Sequence, residues 1–188
     1  MIFASSRLIA RRFGPDDLAA FVAMRNDPEV ARYQSWERYS EDDGRCFIAE
    51  LSGLEPGDPG WFQFALEERQ TGNFAGDCGL NILADDPRLA QIGYSIARPH
   101  WNQGLATEAV RALADFAFSA FGLHRITASV DPRNAASCRV LEKAGFRLEG
   151  RARAYLKING AWADHLLFGL VEDEHADALA RLSERGVE

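Results

Sequence analysis

The run Pro99-His100-Trp101-Asn102-Gln103-Gly104-Leu105-Ala106-Thr107-Glu108-Ala109 follows the strand-like Gln91-Ile92-Gly93-Tyr94-Ser95-Ile96 and has the residue types of a pyrophosphate cradle. The first turn of a helix carries main-chain N–H groups without partners inside the helix, and the helix dipole favours negative charge there. Gly104 lacks a Cβ, so a phosphate oxygen can come close to the main chain, and Ala106 keeps the next turn small. The run has neither the Lys and Ser/Thr of a P-loop nor the glycine spacing of a dinucleotide fold. That argues against an NTPase or a dehydrogenase.

A second run carries further chemistry. His124-Arg125-Ile126-Thr127-Ala128-Ser129-Val130 reads as a strand, and Asn134-Ala135-Ala136-Ser137 then opens a helix that reaches Gly145-Phe146. Asn134 is a strong N-cap residue. Taken together, in this order and spacing, the Ile-Gly-Tyr strand, the Gly-Leu-Ala-Thr-Glu-Ala turn and the Asn-x-x-Ser helix resemble the GNAT acetyltransferase superfamily. Within it they resemble the ribosomal-protein N-terminal acetyltransferases, the RimJ/RimL-like group. The resemblance extends from Arg7 to the hairpin near Trp162. It implies an α/β protein of the GNAT fold, with a mixed, mostly antiparallel central sheet, helices on both faces, and one domain over residues 1–188.

The resemblance implies acetyl-CoA as acetyl donor and no metal. Asn102, Gln103, Gly104, Leu105, Ala106 and Thr107 would form the pyrophosphate turn, and pantetheine would run as a pseudo-strand along Tyr94, Ser95 and Ile96. A main-chain N–H near Ile96 would face the thioester oxygen, a donor typically worth about 3 kcal/mol of barrier. The resemblance adds a pantetheine contact to the capping role of Asn134 and places Ser137 near the sulfur, where its hydroxyl would stabilise the departing thiolate. Trp101 stands where the superfamily commonly has Arg or Gln. An aromatic is usual there in the ribosomal-protein group, and Trp101 reads most simply as a packing residue.

Acyl transfer also needs a neutral amine, and an α-amine, with a pKa of ~8, needs less help than a lysine-like amine at ~10. Many relatives place Glu at the start of the central strand, but this chain has Gln91, which cannot usefully accept a proton. Asp77 and Asp164 are the substitutes: either would hold the acceptor ammonium while water removes its proton. For each acid, a solvated or salt-bridged role is the alternative. Tyr33, Trp36, Tyr155 and Trp162 are candidates for an aromatic-walled acceptor site, with core packing as the alternative. His100, His124, His165 and His175 share no metal-like spacing and receive no catalytic role. Neither Cys78 nor Cys138 suggests an acetyl-enzyme, and Glu108 and Arg111 read as a solvated helix face.

The elements that must position these residues can be followed along the chain. Ile2 to Phe13 reads as one strand, and Gly14-Pro15-Asp16-Asp17 starts a helix with apolar residues at Leu18, Phe21, Val22 and Met24. Asp27 opens a short second helix, and Ser40-Glu41-Asp42-Asp43 caps a third. Strands are expected at Trp61–Glu67, Asn73–Asn81 and Gln91–Ala97. Apolar residues recur at helical spacing from Leu105 to Ala117, and Gly122 ends that helix. Asn159-Gly160 signals a two-residue hairpin, and Val171 to Arg185 a terminal helix.

The chain has 188 residues, net charge −7 and 47% hydrophobic residues, ordinary for one globular domain and unfavourable for nucleic-acid binding. Three scattered cysteines and the absence of a long apolar run fit a cytoplasmic protein without a membrane span. The expected function is direct, ternary-complex acetyl transfer to a protein or peptide N-terminal α-amine. The alternatives are a small-amine acetyltransferase (polyamine, amino acid or aminoglycoside), a catalytically silent acetyl-CoA sensor, and a plain interaction domain. The resemblance also suggests a homodimer.

Overall fold

The computed structural model describes residues 1–34, 36, 38–158 and 160–175. Eight strands form one sheet: β1 (Phe3–Ala4), β2 (Leu8–Arg11), β3 (Gly60–Glu68), β4 (Phe74–Ile82), β5 (Leu89–Ile96), β6 (Arg125–Val130), β7 (Arg147–Ile158) and β8 (Ala161–Val171). Their order across the sheet is β1-β2-β3-β4-β5-β6-β8-β7, and every neighbouring pair is antiparallel except β5 with β6. The helices are α1 (Leu18–Asn26), α2 (Pro28–Ala31), α3 (Glu41–Ser52), α4 (Leu105–Phe121) and α5 (Ala135–Lys143).

Alternation along the strands distributes the helices over two faces. Phe62, Phe64 and Leu66 of β3, Cys78, Leu80 and Ile82 of β4, and Ile92 and Ile96 of β5 join the main core. That core packs against Leu105, Ala109, Val110, Leu113 and Ala117 of α4 and Leu141 of α5. The other face carries a smaller cluster of Phe21, Met24 and Val30 with Phe13, Phe47 and Phe74 around it. Helices therefore cover both faces of a mixed sheet, as expected.

Local chemistry accounts for the element ends. Ser40 and Asp43 cap α3 reciprocally: Asp43 N–H donates to Ser40 Oγ (3.1 Å) and Ser40 N–H to Asp43 Oδ2 (2.8 Å). Gly122 ends α4 with φ 59°, its N–H donating to Phe118 O at 3.1 Å. One expectation is corrected. The Ile2–Phe13 segment is not one strand, because Ser5–Arg7 turn it back and Phe3 pairs with Ala10. The expected hairpin is present, with Ile158 paired to Ala161, and β7 and β8 continue it to Arg147↔Gly169. Asn159 and residues 176–188, which include most of the expected terminal helix, lie outside the described residues. Among the described residues no helix is long and apolar enough to cross a membrane.

The decisive feature is where β5 leaves β6. The parallel pairing covers only Leu89↔Arg125, Ala90↔Ile126 and Gln91↔Thr127, whereas β4 pairs with β5 as far as Gly76↔Ile96. From Ile92 to Ile96, therefore, β5 is bonded on one edge and open on the other.

A buried ion pair ties α1 to this region. Arg25 Nη2 lies 2.8 Å from Asp77 Oδ2, and both side chains are almost wholly inaccessible. Burial pushes the Asp77 carboxyl above the usual carboxylate range, against the pull of the guanidinium. Arg25 also stacks on Trp36, 3.7 Å from the ring centroid, and on Phe21, at 4.9 Å. Removing one member of such a pair leaves an uncompensated buried charge. Asp77→Ala is expected to lower the urea-unfolding free energy by about 3–5 kcal/mol, and the double change Asp77→Leu with Arg25→Met to recover most of it. An unaltered urea midpoint in Asp77→Ala would show that the pair carries no such weight.

Candidate active site

The turn from β5 into α4 has the form expected of an anion cradle. Asn102 and Gly104 have φ of 60° and 80°, and the left-handed conformation at Gly104 suits a residue without Cβ. A Cβ there would meet only Arg7 Nη2, at 3.7 Å, so the space over the turn is open. No side chain caps α4, and its first internal hydrogen bond runs from Glu108 N–H to Gly104 O (3.1 Å). The N–H groups of Leu105, Ala106 and Thr107 precede that bond and are left to face an anion.

This turn is clamped from behind. Glu108 Oε1 accepts from Ser5 Oγ (2.7 Å), Ser6 Oγ (2.9 Å) and Arg7 N–H (2.7 Å), while Oε2 accepts from Arg7 Nε (2.7 Å). Arg7 Nη1 then donates to Gln103 O at 2.9 Å. Burial alone would raise the Glu108 pKa, but these hydrogen bonds outweigh it and hold the carboxyl below its usual range. Glu108 is therefore not a solvated surface residue, because the β1–β2 turn folds onto it. Arg111 is committed as well, with Nε and Nη2 donating to Lys143 O where α5 ends. Trp101 is exposed and joins neither apolar cluster, so it is not the packing residue expected; its Nε1–H donates to Ile96 O (2.6 Å), tying the turn to the end of β5.

On β5, Ile92, Tyr94 and Ile96 point towards α4 and α5. Ser95 points the other way, within 3.3 Å of Gln34 Nε2. On the edge that β6 has left, Tyr94 and Ile96 offer a ligand main chain, whereas the main chain of Ser95 faces Asp77 of β4, contrary to the expectation for Ser95. Tyr94 bridges the gap: its hydroxyl is 2.7 Å from Ser137 Oγ, on the first turn of α5. Burial raises the Tyr94 pKa, so the phenol stays protonated. Asn134 caps α5 through Oδ1, which accepts from Ser137 N–H (3.1 Å), and this leaves Nδ2 to donate to a ligand.

Between β5 and β6 lies a cleft of about 150 Å³, lined by Tyr33, Gln34, Gly93, Tyr94, Ser129, Asp131, Asn134, Leu156, Ile158 and His165, among others. Several acceptor-site expectations change here. Asp77 is fully buried and already paired with Arg25, so no ammonium can reach it. Asp164 is half-buried and lines no part of the cleft. It accepts from Arg151 Nε (3.0 Å) and Ala154 N–H (2.9 Å), holding a bulge in β7 where Ala154 has φ 49°. Trp36 covers Arg25, and Trp162, 68% exposed, stands outside the cleft. Of the four aromatics, Tyr33 lines the cleft, and Tyr155 reaches it only by packing against His165.

Sequence reasoning missed three residues of this face. Trp61 lies over Gly79 and Gly93, and a Cβ on Gly79 would stand 2.1 Å from Gln63 Oε1. Only glycine at that position lets β3 side chains lie flat on the sheet. The third is His165, whose isolated position in the sequence gave no pattern.

The arrangement can hold a chain-like ligand that ends in a pyrophosphate: an open strand edge leads to a helix N-terminus, with hydroxyls of Tyr94 and Ser137 beside it. Residues 7–147 match the acetyltransferase (GNAT) domain family. An uncharacterized N-acetyltransferase, p20 of Bacillus licheniformis, is 32% identical over 92% of this chain and 97% of its own length. Among solved structures, Mycobacterium smegmatis RimJ in complex with CoA-disulfide superposes with a TM-score of 0.83 at 28% identity, covering 98% of this chain and 94% of that one. The ribosomal-protein-S5-alanine acetyltransferase of Vibrio fischeri gives 0.79 at 27% identity, over 91% and 96%.

Two outcomes follow for the clamp. Glu108→Ala is expected to weaken CoA binding about tenfold by calorimetry, because the turn loses its rear support. A depressed carboxylate stabilises the fold above its unfolded pKa, and that stabilisation is lost as pH falls through the folded value. The melting-temperature gap between the parent and Glu108→Gln should therefore be full at pH 7 and close below pH ~4. A gap that does not narrow at all as pH falls from 7 into the acid range would contradict an ionised clamp.

Proposed function

The chain belongs to the GNAT acetyltransferase family and is an acetyl-CoA-dependent N-acetyltransferase; from that premise we propose that its acceptor is the N-terminal α-amine of a protein or peptide, acetylated by direct attack in a ternary complex. When bound, acetyl-CoA supplies an acetyl group activated as a thioester. The open edge of β5, the uncapped first turn of α4 and the donor left on Asn134 fit that molecule. On this reading Asn102 to Thr107 bind the pyrophosphate, Tyr94 and Ile96 align pantetheine through their main chain, and Ser137, held by Tyr94, donates to the departing sulfur. Tyr33 flanks the acceptor.

The observation that carries the choice of acceptor is the charge of the cleft. Among the described residues its one lining carboxylate, Asp131, is held by Arg133, whose Nε is 2.9 Å from Oδ1 and Nη2 2.6 Å from Oδ2. A polyamine carries several ammonium groups and calls for unpaired carboxylates to receive them, whereas a peptide N-terminus brings a single amine of lower pKa. The similarity to ribosomal-protein acetyltransferases over nearly the full chain supports the same choice.

Thiol release from acetyl-CoA tests this, with short peptides of varied N-terminal residue offered beside polyamines and aminoglycosides. Peptide-driven release is expected; release driven only by a small amine would reverse the assignment. Gly104→Glu should abolish CoA binding by setting a carboxylate against the phosphates. Ser137→Ala should lower kcat by about 10²-fold with little change in the acetyl-CoA KM. Light scattering on the same samples reports whether two copies associate.

A further inference from the structure

With Gln91 unable to accept a proton, Asp77 sealed by Arg25 and Asp164 tied into β7, the proton of the acceptor ammonium has no destination among the expected residues. One cleft residue fits. On β8, Leu166, Phe168 and Leu170 face the α4/α5 core, so alternation turns His165 to the opposite face. Ser129 of β6 and Gly93 of β5 lie on that same face, and all three residues line the cleft. His165 is only 4% exposed. Its Nδ1 is 3.3 Å from Ser129 Oγ, and the Tyr155 ring packs against it at 5.6 Å between centroids. Its Nε2 is buried and has no hydrogen-bond partner among the described residues.

A buried polar nitrogen without a partner is costly, and such groups in folded proteins are usually satisfied by a protein group or a bound molecule. Burial also lowers the His165 pKa below its ordinary value, against the pull of Asp131, so the ring is neutral at pH 7. The titratable groups facing it are Asp131 before α5, Tyr155 on β7 and Tyr33 across the cleft. Asp131 is held ionised and occupied by Arg133, and Tyr155 and Tyr33 are phenols. Among the described residues, no other lining side chain is an imidazole.

We propose that His165 Nε2 is the proton acceptor for the incoming ammonium group, directly or through one water, with Nδ1–H donated to Ser129 Oγ. This rests on the amine-acceptor reading of the cleft given above. One ammonium proton passes to Nε2. The freed nitrogen lone pair forms the bond to the acetyl carbon, and the carbon–sulfur bond breaks with its electron pair on sulfur. A second proton, from the acylated nitrogen, ends on the thiol, and the imidazolium returns the first to solvent. The products are the amide, CoA thiol and one proton.

His165→Gln keeps a polar group but cannot take up a proton. It is expected to lower kcat/KM at pH 7 about 100-fold, with CoA affinity and melting temperature close to the parent. The loss should shrink as pH rises towards the pKa of the acceptor amine. Long-range ¹⁵N NMR of the parent should show a neutral ring with Nε2 bare at pH 7. Activity within about threefold of the parent, CoA affinity that falls with the rate, or a ring protonated on Nε2 would each overturn the proposal. A parent inert towards every acceptor overturns the acceptor reading and this proposal with it, whereas an active parent with an indifferent His165→Gln overturns this proposal alone.

Discussion

β5 is bonded along one edge by β4, while on the other edge β6 holds it for three register pairs and then diverges. A central strand with a bare edge is costly, because its main-chain donors and acceptors sit in the body of the molecule without partners. The remaining architecture accommodates that opening. At its apex Thr127 Oγ1 donates to Ala90 O at 3.1 Å, a side-chain tie between the strands. Beyond it the Tyr94 phenol reaches across to Ser137 and keeps α5 facing the gap. A ligand with a peptide-like spine restores the missing strand, so donor binding and satisfaction of the sheet are one event.

Among the described residues, four carboxylates around this opening are already neutralised. Glu108 is bound to Arg7, Asp77 to Arg25, Asp131 to Arg133 and Asp164 to Arg151. Each pair fastens a different piece of the frame: the pyrophosphate turn, α1 under the sheet, the start of α5 and the bulge of β7. The net charge of −7 therefore does not create an acidic acceptor site. Arginine suits this work because its planar fork makes several directed hydrogen bonds at once. Acids spent on structure cannot also serve as bases, which is why proton transfer falls to an imidazole.

The two faces of the sheet divide the labour. The face towards α4 and α5 is apolar except where Tyr94 and Ser137 meet, and it holds the donor-binding elements in a closely packed core. The opposite face carries Trp61, Gly79, Gly93, Ser129 and His165, a shallower and more polar surface open to an acceptor. Strand alternation alone produces this division, since residues one apart on β5, β6 or β8 belong to different chemistries.

Much of this was legible before any coordinates. The open turn at Asn102 to Thr107, the cap at Asn134 and the mixed two-faced sheet follow from local rules: φ > 0 at glycine, unpaired amides at helix starts, and apolar periodicity; the role expected of Ser137 came from the family resemblance instead. Such rules act over a few residues, so the order of residues carries them. The clamp of Glu108 by Ser5, Ser6 and Arg7 joins positions about a hundred residues apart, and the seal of Asp77 by Arg25 joins positions about fifty apart. No spacing announces either contact, and a carboxylate reads the same whether it awaits an amine or holds an arginine. His165 shows the same divide: its residue type was plain, but its neutrality and its free nitrogen exist only because β7, β6 and Tyr155 close around it. The sequence by itself determined the donor-binding elements, because their chemistry is backbone chemistry. Only the tertiary structure decided which side chains remained free to react, because burial and pairing depend on what the fold brings alongside.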